Sequence, residues 1–205
     1  AQTIRRSTGT WEVETAAGRF SAPVIVNAAG AWADEVAALA GVERLGLTPL
    51  RRSAAILPTP PGHDVTSWVA VVSMAETWYA KPEAGKLMVS PADEDPVEPQ
   101  DAWPDDMVLA EGLERYAQAV TVPLTRVERT WAGLRTFAPD RAPVVGFDPA
   151  AQGFFWLAGQ GGYGIQTAPA LSRLAAALLA GADGTAVLPA KIVAALAPGR
   201  LRNAA

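Results

Sequence analysis

Phe154-Phe155-Trp156-Leu157-Ala158-Gly159-Gln160-Gly161-Gly162-Tyr163-Gly164-Ile165-Gln166-Thr167 decides the fold class of this chain. The apolar run 154–158 predicts a short buried strand. A glycine loop follows over 159–164, and an Ala/Leu-rich helix is predicted from Thr167 to Ala180, closed by Gly181. By letter, Gly159 to Gly164 matches G-x-G-x-x-G. It stands between strand and helix, where glycines let a ligand approach the backbone and the helix N-terminus. A full nicotinamide-dinucleotide unit also needs a second parallel strand ending in an acidic residue. Here Gly181-Ala182-Asp183-Gly184 follows the helix, with no strand of useful length after it. Two readings stay open: a tight turn that needs glycine for positive φ, or a loop that stabilises an anionic or electron-rich partner.

Working outward, the same style recurs upstream. Val24-Ile25-Val26 predicts a strand, Asn27-Ala28-Ala29-Gly30 a small-residue turn, and Trp32 to Ala40 a helix stopped by Gly41. Ala37, Ala38 and Ala40 suit close packing on a sheet. Before them, Trp11, Val13 and Thr15 alternate with Glu12 and Glu14, and Ala17-Gly18 turns the chain, so the first thirty residues read as a β-meander. From Leu47 to Arg135 the character changes. Strand-like runs at 53–57, 69–73, 77–81, 86–90 and 127–137 surround one amphipathic helix over 105–120, with Met107, Leu109, Leu113, Tyr116 and Ala117 along one side. That block reads as an antiparallel sheet with a covering helix. After Pro139 the strand–helix style returns with Val144-Val145, and it ends in a short helix over 190–196. The expected fold is mixed α+β and α/β: one nucleotide-binding layer, residues 1–46 and 136–205, interrupted by a substrate domain, 47–135.

Composition removes several function classes. The 205 residues carry 17 Lys+Arg against 21 Asp+Glu, a net charge of −4, which argues against a nucleic-acid partner. There is no Cys, so disulfides, thiolate nucleophiles, cysteine metal sites and a cysteine-tethered cofactor are excluded. No stretch reaches the roughly 18–20 apolar residues of a transmembrane helix. No signal peptide opens the chain, so a cytoplasmic location is the default expectation. The chain begins at Ala1 in a strand pattern, which reads as the back half of a longer protein.

Arginines in apolar company are the other candidates for chemistry. Alternation puts Arg129, Trp131, Gly133, Arg135 and Phe137 on one face of their strand, and Arg51-Arg52 abuts the run Ala54–Leu57. Two guanidinium groups on separate strands can grip one carboxylate, or each can be spent on an internal ion pair. Tyr79 is either a core residue or a substrate contact. The lone His63, in a Pro/Gly turn, reads as solvated. Asp93-Glu94-Asp95 reads as a solvated charge run rather than a metal cluster. No G-x-S-x-G supports a serine hydrolase.

In their order, N-A-A-G-A-W-A-D at 27–34, P-x-R-R-S at 49–53, W-x-G-L-R at 131–135 and G-Q-G-G-Y-G-I-Q-T at 159–167 resemble the FAD-dependent glycine/D-amino acid oxidase family. Within it they look most like the bacterial D-arginine dehydrogenases. The resemblance implies a glutathione-reductase-like FAD-binding layer, non-covalent FAD, and oxidative deamination of a D-amino acid, D-arginine or another, to a 2-oxo acid. It implies that Arg52 and Arg135 hold the substrate carboxylate, with Tyr79 adding a hydroxyl contact and Val72 lining the pocket. Ala70 is smaller than the Met expected there. Gly161, Gly162, Tyr163, Gly164, Ile165 and Gln166 would lie under the flavin, with Ile165 and Gln166 also facing substrate. Ala29 and Gly30 would approach the dinucleotide, and the backbone of Ala1 its adenine. The family's N-terminal βαβ unit has no counterpart here, so this length alone is expected to be inactive. An electron acceptor is a further expected partner. The alternatives are a glycine/sarcosine-type amine oxidase of the same family, a NAD(P)-binding protein using 159–164, and a subunit that completes a partner's flavin site.

Overall fold

The computed structural model describes residues 1–202, which fall into two compact units. Unit 1 joins Ala1–Pro49 to Arg135–Ala205, and unit 2 is Leu50–Leu134.

Unit 1 begins with three antiparallel strands, β1 (Thr3–Ser7), β2 (Thr10–Thr15) and β3 (Gly18–Ala22). Trp11 from β2 is buried, stacks edge-on against Phe154 and donates its indole N–H to the Gln152 carbonyl at 3.1 Å. Gly153 is needed at that contact: it has φ +75°, and a Cβ there would lie 2.5 Å from the Pro23 carbonyl. The second sheet has the order β11–β12–β4, with β4 (Ile25–Asn27), β11 (Val144–Phe147) and β12 (Phe154–Ala158). β12 runs parallel to β4 and antiparallel to β11. All of Phe154, Phe155 and Trp156 are buried because both faces are covered. Phe154 and Trp156 pack with Ile4, Trp11 and the α1 helix (Ala33–Leu39); Phe155 packs with α3 (Gly164–Leu179) and α4 (Ala190–Leu196). Ala33 and Ala37 of α1 are buried, whereas Ala38, expected at the sheet, is exposed. After α3 the described residues form α4 and a 3-10 turn at Pro198–Leu201, with no strand.

Unit 2 holds a sheet of order β10–β5–β8–β7–β6, with a short β9 also on β5. Its strands are β5 (Thr48–Leu57), β6 (Val71–Val72), β7 (Tyr79–Glu83), β8 (Lys86–Ser90), β9 (Asp95–Pro96) and β10 (Arg129–Phe137); the ends of β5 and β10 belong to unit 1. The α2 helix (Asp106–Ala119) covers it, burying Leu109 and Tyr116 against a core of Leu57, Trp78, Leu87 and Val89. Asp105 caps α2 by accepting from the N–H groups of Met107 and Val108. Met107, expected on the apolar side, is 69% exposed. Burial on β10 does not alternate as predicted but grows along the strand, from exposed Arg129 to buried Phe137. Among the described residues no helix is long and apolar enough to cross a membrane, and no cluster of potential metal ligands occurs.

Candidate functional site

Parallel pairing of β4 with β12 brings two small-residue turns to the carboxyl ends of neighbouring strands, where open α/β sheets bind ligands. At the first, Asn27 is buried and ties the turn down. Its amide donates to the Ala33 carbonyl at 2.8 Å and its Oδ1 accepts from the Ala29 N–H at 3.3 Å. Gly30 has φ +57° and open space where a Cβ would stand.

At the second turn, Gly161 donates its N–H to the Thr136 carbonyl at 2.9 Å, with φ +53°. A Cβ on Gly161 would meet the Phe137 ring at 2.2 Å, and one on Gly162 would meet Arg135 Nη1 at 3.0 Å. Gly161 is therefore demanded first by the end of β10, and Gly162 leaves room for the Arg135 tip. The α3 helix starts at Gly164, three residues before the predicted Thr167, so Ile165 and Gln166 lie in its first turn. No side chain caps it, and the N–H groups of Gly162, Gly164, Ile165 and Gln166 have no acceptor among the described residues. The surface here is open: Ile165 is 96% and Tyr163 52% exposed. Half-buried Arg135 lies against Gly162 and makes no hydrogen bond or ion pair among the described residues. Four free N–H groups, the positive end of a 16-residue helix and an unpaired guanidinium converge on one stretch of surface. Ala1 is exposed ahead of β1, and no hydrogen bond among the described residues joins it to either turn.

In unit 2, Arg52, Tyr79 and Val72 come together. Arg52 Cζ lies 5.9 Å from the Tyr79 ring centroid, and Tyr79 is the cross-strand partner of Val72. Arg52 is buried and engaged internally, Nε donating to the Asp93 carbonyl at 2.7 Å and Nη2 to Glu94 Oε1 at 3.0 Å. Of the two fates left open for the arginines, Arg52 shows the internal ion pair and Arg135 does not. The acidic run 93–95 is not the solvated loop that was expected. Asp93 is buried and accepts from the Ser53 N–H and hydroxyl, both at 2.7 Å, while Asp95 pairs with Arg51 at 2.9 Å. The signal that could have revealed this is the Arg51-Arg52-Ser53 tripeptide, whose cations and hydroxyl beside an apolar run need acceptors.

Residues 1–178 match the family described as FAD dependent oxidoreductase. The chain belongs to that family. Among curated relatives it is 28% identical to the mitochondrial dimethylglycine dehydrogenase of Homo sapiens over 188 residues, covering 78% of this chain and 20% of that protein. It is 25% identical to the hydrogen cyanide synthase subunit HcnC of Pseudomonas aeruginosa over 152 residues, covering 74% of this chain and 35% of that protein. In fold it resembles the L-proline dehydrogenase of P. horikoshii, with a TM-score of 0.80 at 24% identity, covering 98% of this chain and 53% of that one. The chain thus spans 35% and 20% of those curated relatives and about half of that structure. As a member of the FAD dependent oxidoreductases it takes FAD as cofactor. The second turn fits that cofactor: open N–H donors beside a cation suit the electron-rich pyrimidine edge of a flavin.

Proposed function

We propose that this chain is part of an enzyme that oxidises the Cα–N bond of an amino acid, with Arg135 holding the substrate carboxylate. The observation that carries the reading is the Arg135 guanidinium resting on Gly162, without a partner among the described residues, beside the N–H groups of Gly162, Gly164, Ile165 and Gln166, which have no acceptor among them either. Bound FAD supplies the two-electron oxidation. Arg135 gives the carboxylate a charge-assisted, bidentate partner and so fixes the orientation of the α-carbon. The backbone N–H groups of Gly162 and Gly164 are the donors offered to the cofactor, Gly161 and Tyr163 shape the loop beneath it through their bonds to Thr136 and Gln160, and the exposed Ile165 and Gln166 offer an apolar and an amide contact beside it. Arg52, Tyr79 and Val72 keep the substrate-binding roles that the resemblance implies, with Arg52 held rigid by Glu94. Ala29 and Gly30 are assigned to the dinucleotide.

Residue-level resemblance favours a D-amino acid, D-arginine included, whose imino product would hydrolyse to a 2-oxo acid and ammonia. The relatives named for dimethylglycine and proline favour a secondary or tertiary amine of the glycine/sarcosine kind. A panel of D-arginine, other D-amino acids, glycine, sarcosine and L-proline separates the two. A NAD(P) site at 159–164 loses support because no strand follows α3 among the described residues.

In the holoenzyme containing this chain, Arg135→Leu should raise KM for the amino acid about a hundredfold, the usual scale for removing one partner of a desolvated charge pair. Arg135→Lys should recover part of it. An unchanged KM removes the assignment.

A further inference from the structure

Phe137 ends β10 with its ring buried, and two unrelated groups bear on that ring. Arg141 lays its guanidinium over it, Cζ 3.9 Å from the centroid. Arg141 does so from a left-handed backbone conformation, φ +61°, in a turn closed by its own N–H on the Ala138 carbonyl at 2.8 Å. An L side chain rarely adopts that φ, so the turn must be held from outside. Arg200 holds it, donating to both carboxylate oxygens of Asp140 at 2.7 and 3.1 Å and to the Ala142 carbonyl at 2.8 Å. The other group is Gly161. A Cβ there would stand 2.2, 2.6 and 2.8 Å from Cε1, Cδ1 and Cζ of Phe137, so the ring rests directly on the glycine backbone. Gly161 is also restrained by its N–H bond to the Thr136 carbonyl, one residue before the ring. The next residue, Gly162, bears the Arg135 guanidinium.

From this geometry we infer that Phe137 and Arg141 are positioning residues. The cation presses the ring into one place, the ring sets the height of Gly161-Gly162, and that height sets both the free N–H groups and Arg135. The inference rests on the reading of this loop as the cofactor and carboxylate site.

Amide hydrogen exchange within 160–166, read at Gly161 and Tyr163, whose N–H groups are bonded to the Thr136 and Gln160 carbonyls, tests it directly, alongside FAD affinity and amino acid KM in the holoenzyme. Arg141 is exposed, so Arg141→Gln should fold; it should speed exchange in 160–166 about threefold, the scale of one exposed cation–π contact. Phe137→Leu should speed it about tenfold or more. Both should weaken FAD binding and raise KM in the same order, with kcat at saturating substrate and FAD changing least, and Arg141→Lys should return all three readouts towards wild type. Exchange in 160–166 that stays at the wild-type rate in both variants overturns the positioning role. Faster exchange with unchanged FAD affinity and KM leaves the loop restraint standing and overturns the reading of the loop as the site.

Discussion

Asp148 shows how a single buried carboxylate anchors unit 1. It sits between β11 and β12, accepting from the Trp156 indole N–H at 3.0 Å, from the N–H groups of Ala150 and Ala151 at 2.9 and 3.0 Å, and from Arg202. Burial pushes its pKa up, but the hydrogen bonds from Trp156 and Arg202, the Ala150 N–H and the Arg202 charge together hold it below the ordinary value. A carboxyl whose folded pKa lies below its unfolded one stabilises the fold fully above the unfolded value, near pH 4, and loses that contribution as pH falls through the folded one. Asp148→Asn should therefore cost about 3 kcal/mol at neutral pH, by leaving Arg202 and its buried neighbours short of a charged acceptor. It should also flatten the acid limb of the stability curve. Urea titrations at pH 7 and pH 3.5 check both: an equal loss at the two pH values contradicts the linkage.

At the scale of elements, α2 meets the acidic loop through one close approach. A Cβ on Gly112 would lie 2.4 Å from Pro91 Cβ and 2.6 Å from its Cα, so helix and loop touch through bare backbone. Within a helix, Gly→Ala ordinarily gains about 1 kcal/mol. Here the sign should reverse: Gly112→Ala should destabilise by about 1–3 kcal/mol through overpacking against a backbone that cannot yield. Urea unfolding reads this, and a stabilised variant contradicts it. The loop that Pro91 begins carries Asp93, Glu94 and Asp95, so the same contact supports the acceptors of Arg51 and Arg52. How far such elements could be read in sequence depended on how local their causes are. The run 154–158 and the helix 190–196 rest on composition and neighbours alone, and their bounds agree with the structure. The start of α3 does not: two glycines and no capping side chain argue for a later start, and contacts from Phe137 and Arg135, over twenty residues away, hold the loop instead. Burial of Asp93 was legible only as a need of Arg51-Arg52-Ser53 for acceptors, since Ser53 lies 40 residues upstream of it. The glycine loop was legible as a turn between strand and helix, but the difference between a paired Arg52 and an Arg135 without a partner among the described residues was not, because it depends on which strand the acidic loop meets.

For the molecule as a whole, the units divide at Pro49/Leu50 and Leu134/Arg135, beside the expected bounds of 46/47 and 135/136. What this chain can hold by itself follows from counting anion donors. FAD carries a diphosphate as well as a flavin, and each needs its own donors. The α3 loop offers four N–H groups without an acceptor among the described residues, while Arg135 is assigned to the substrate. The other turn leads only into a three-residue 3-10 helix and the seven-residue α1, whose summed dipole is small. Around both turns Val26, Trp32, Tyr163 and Ile165 are exposed, and β4 pairs only with β12 among the described residues. A pocket should instead bury most of its ligand behind apolar walls. The 205 residues alone should therefore bind FAD with a Kd weaker than about 10 µM. Flavin fluorescence quenching and retention of yellow colour through dialysis measure this. Donors for the flavin alone cannot hold a dinucleotide against dilution, so protein that emerges from dialysis with one flavin per chain would show that the diphosphate also finds its partners within these residues.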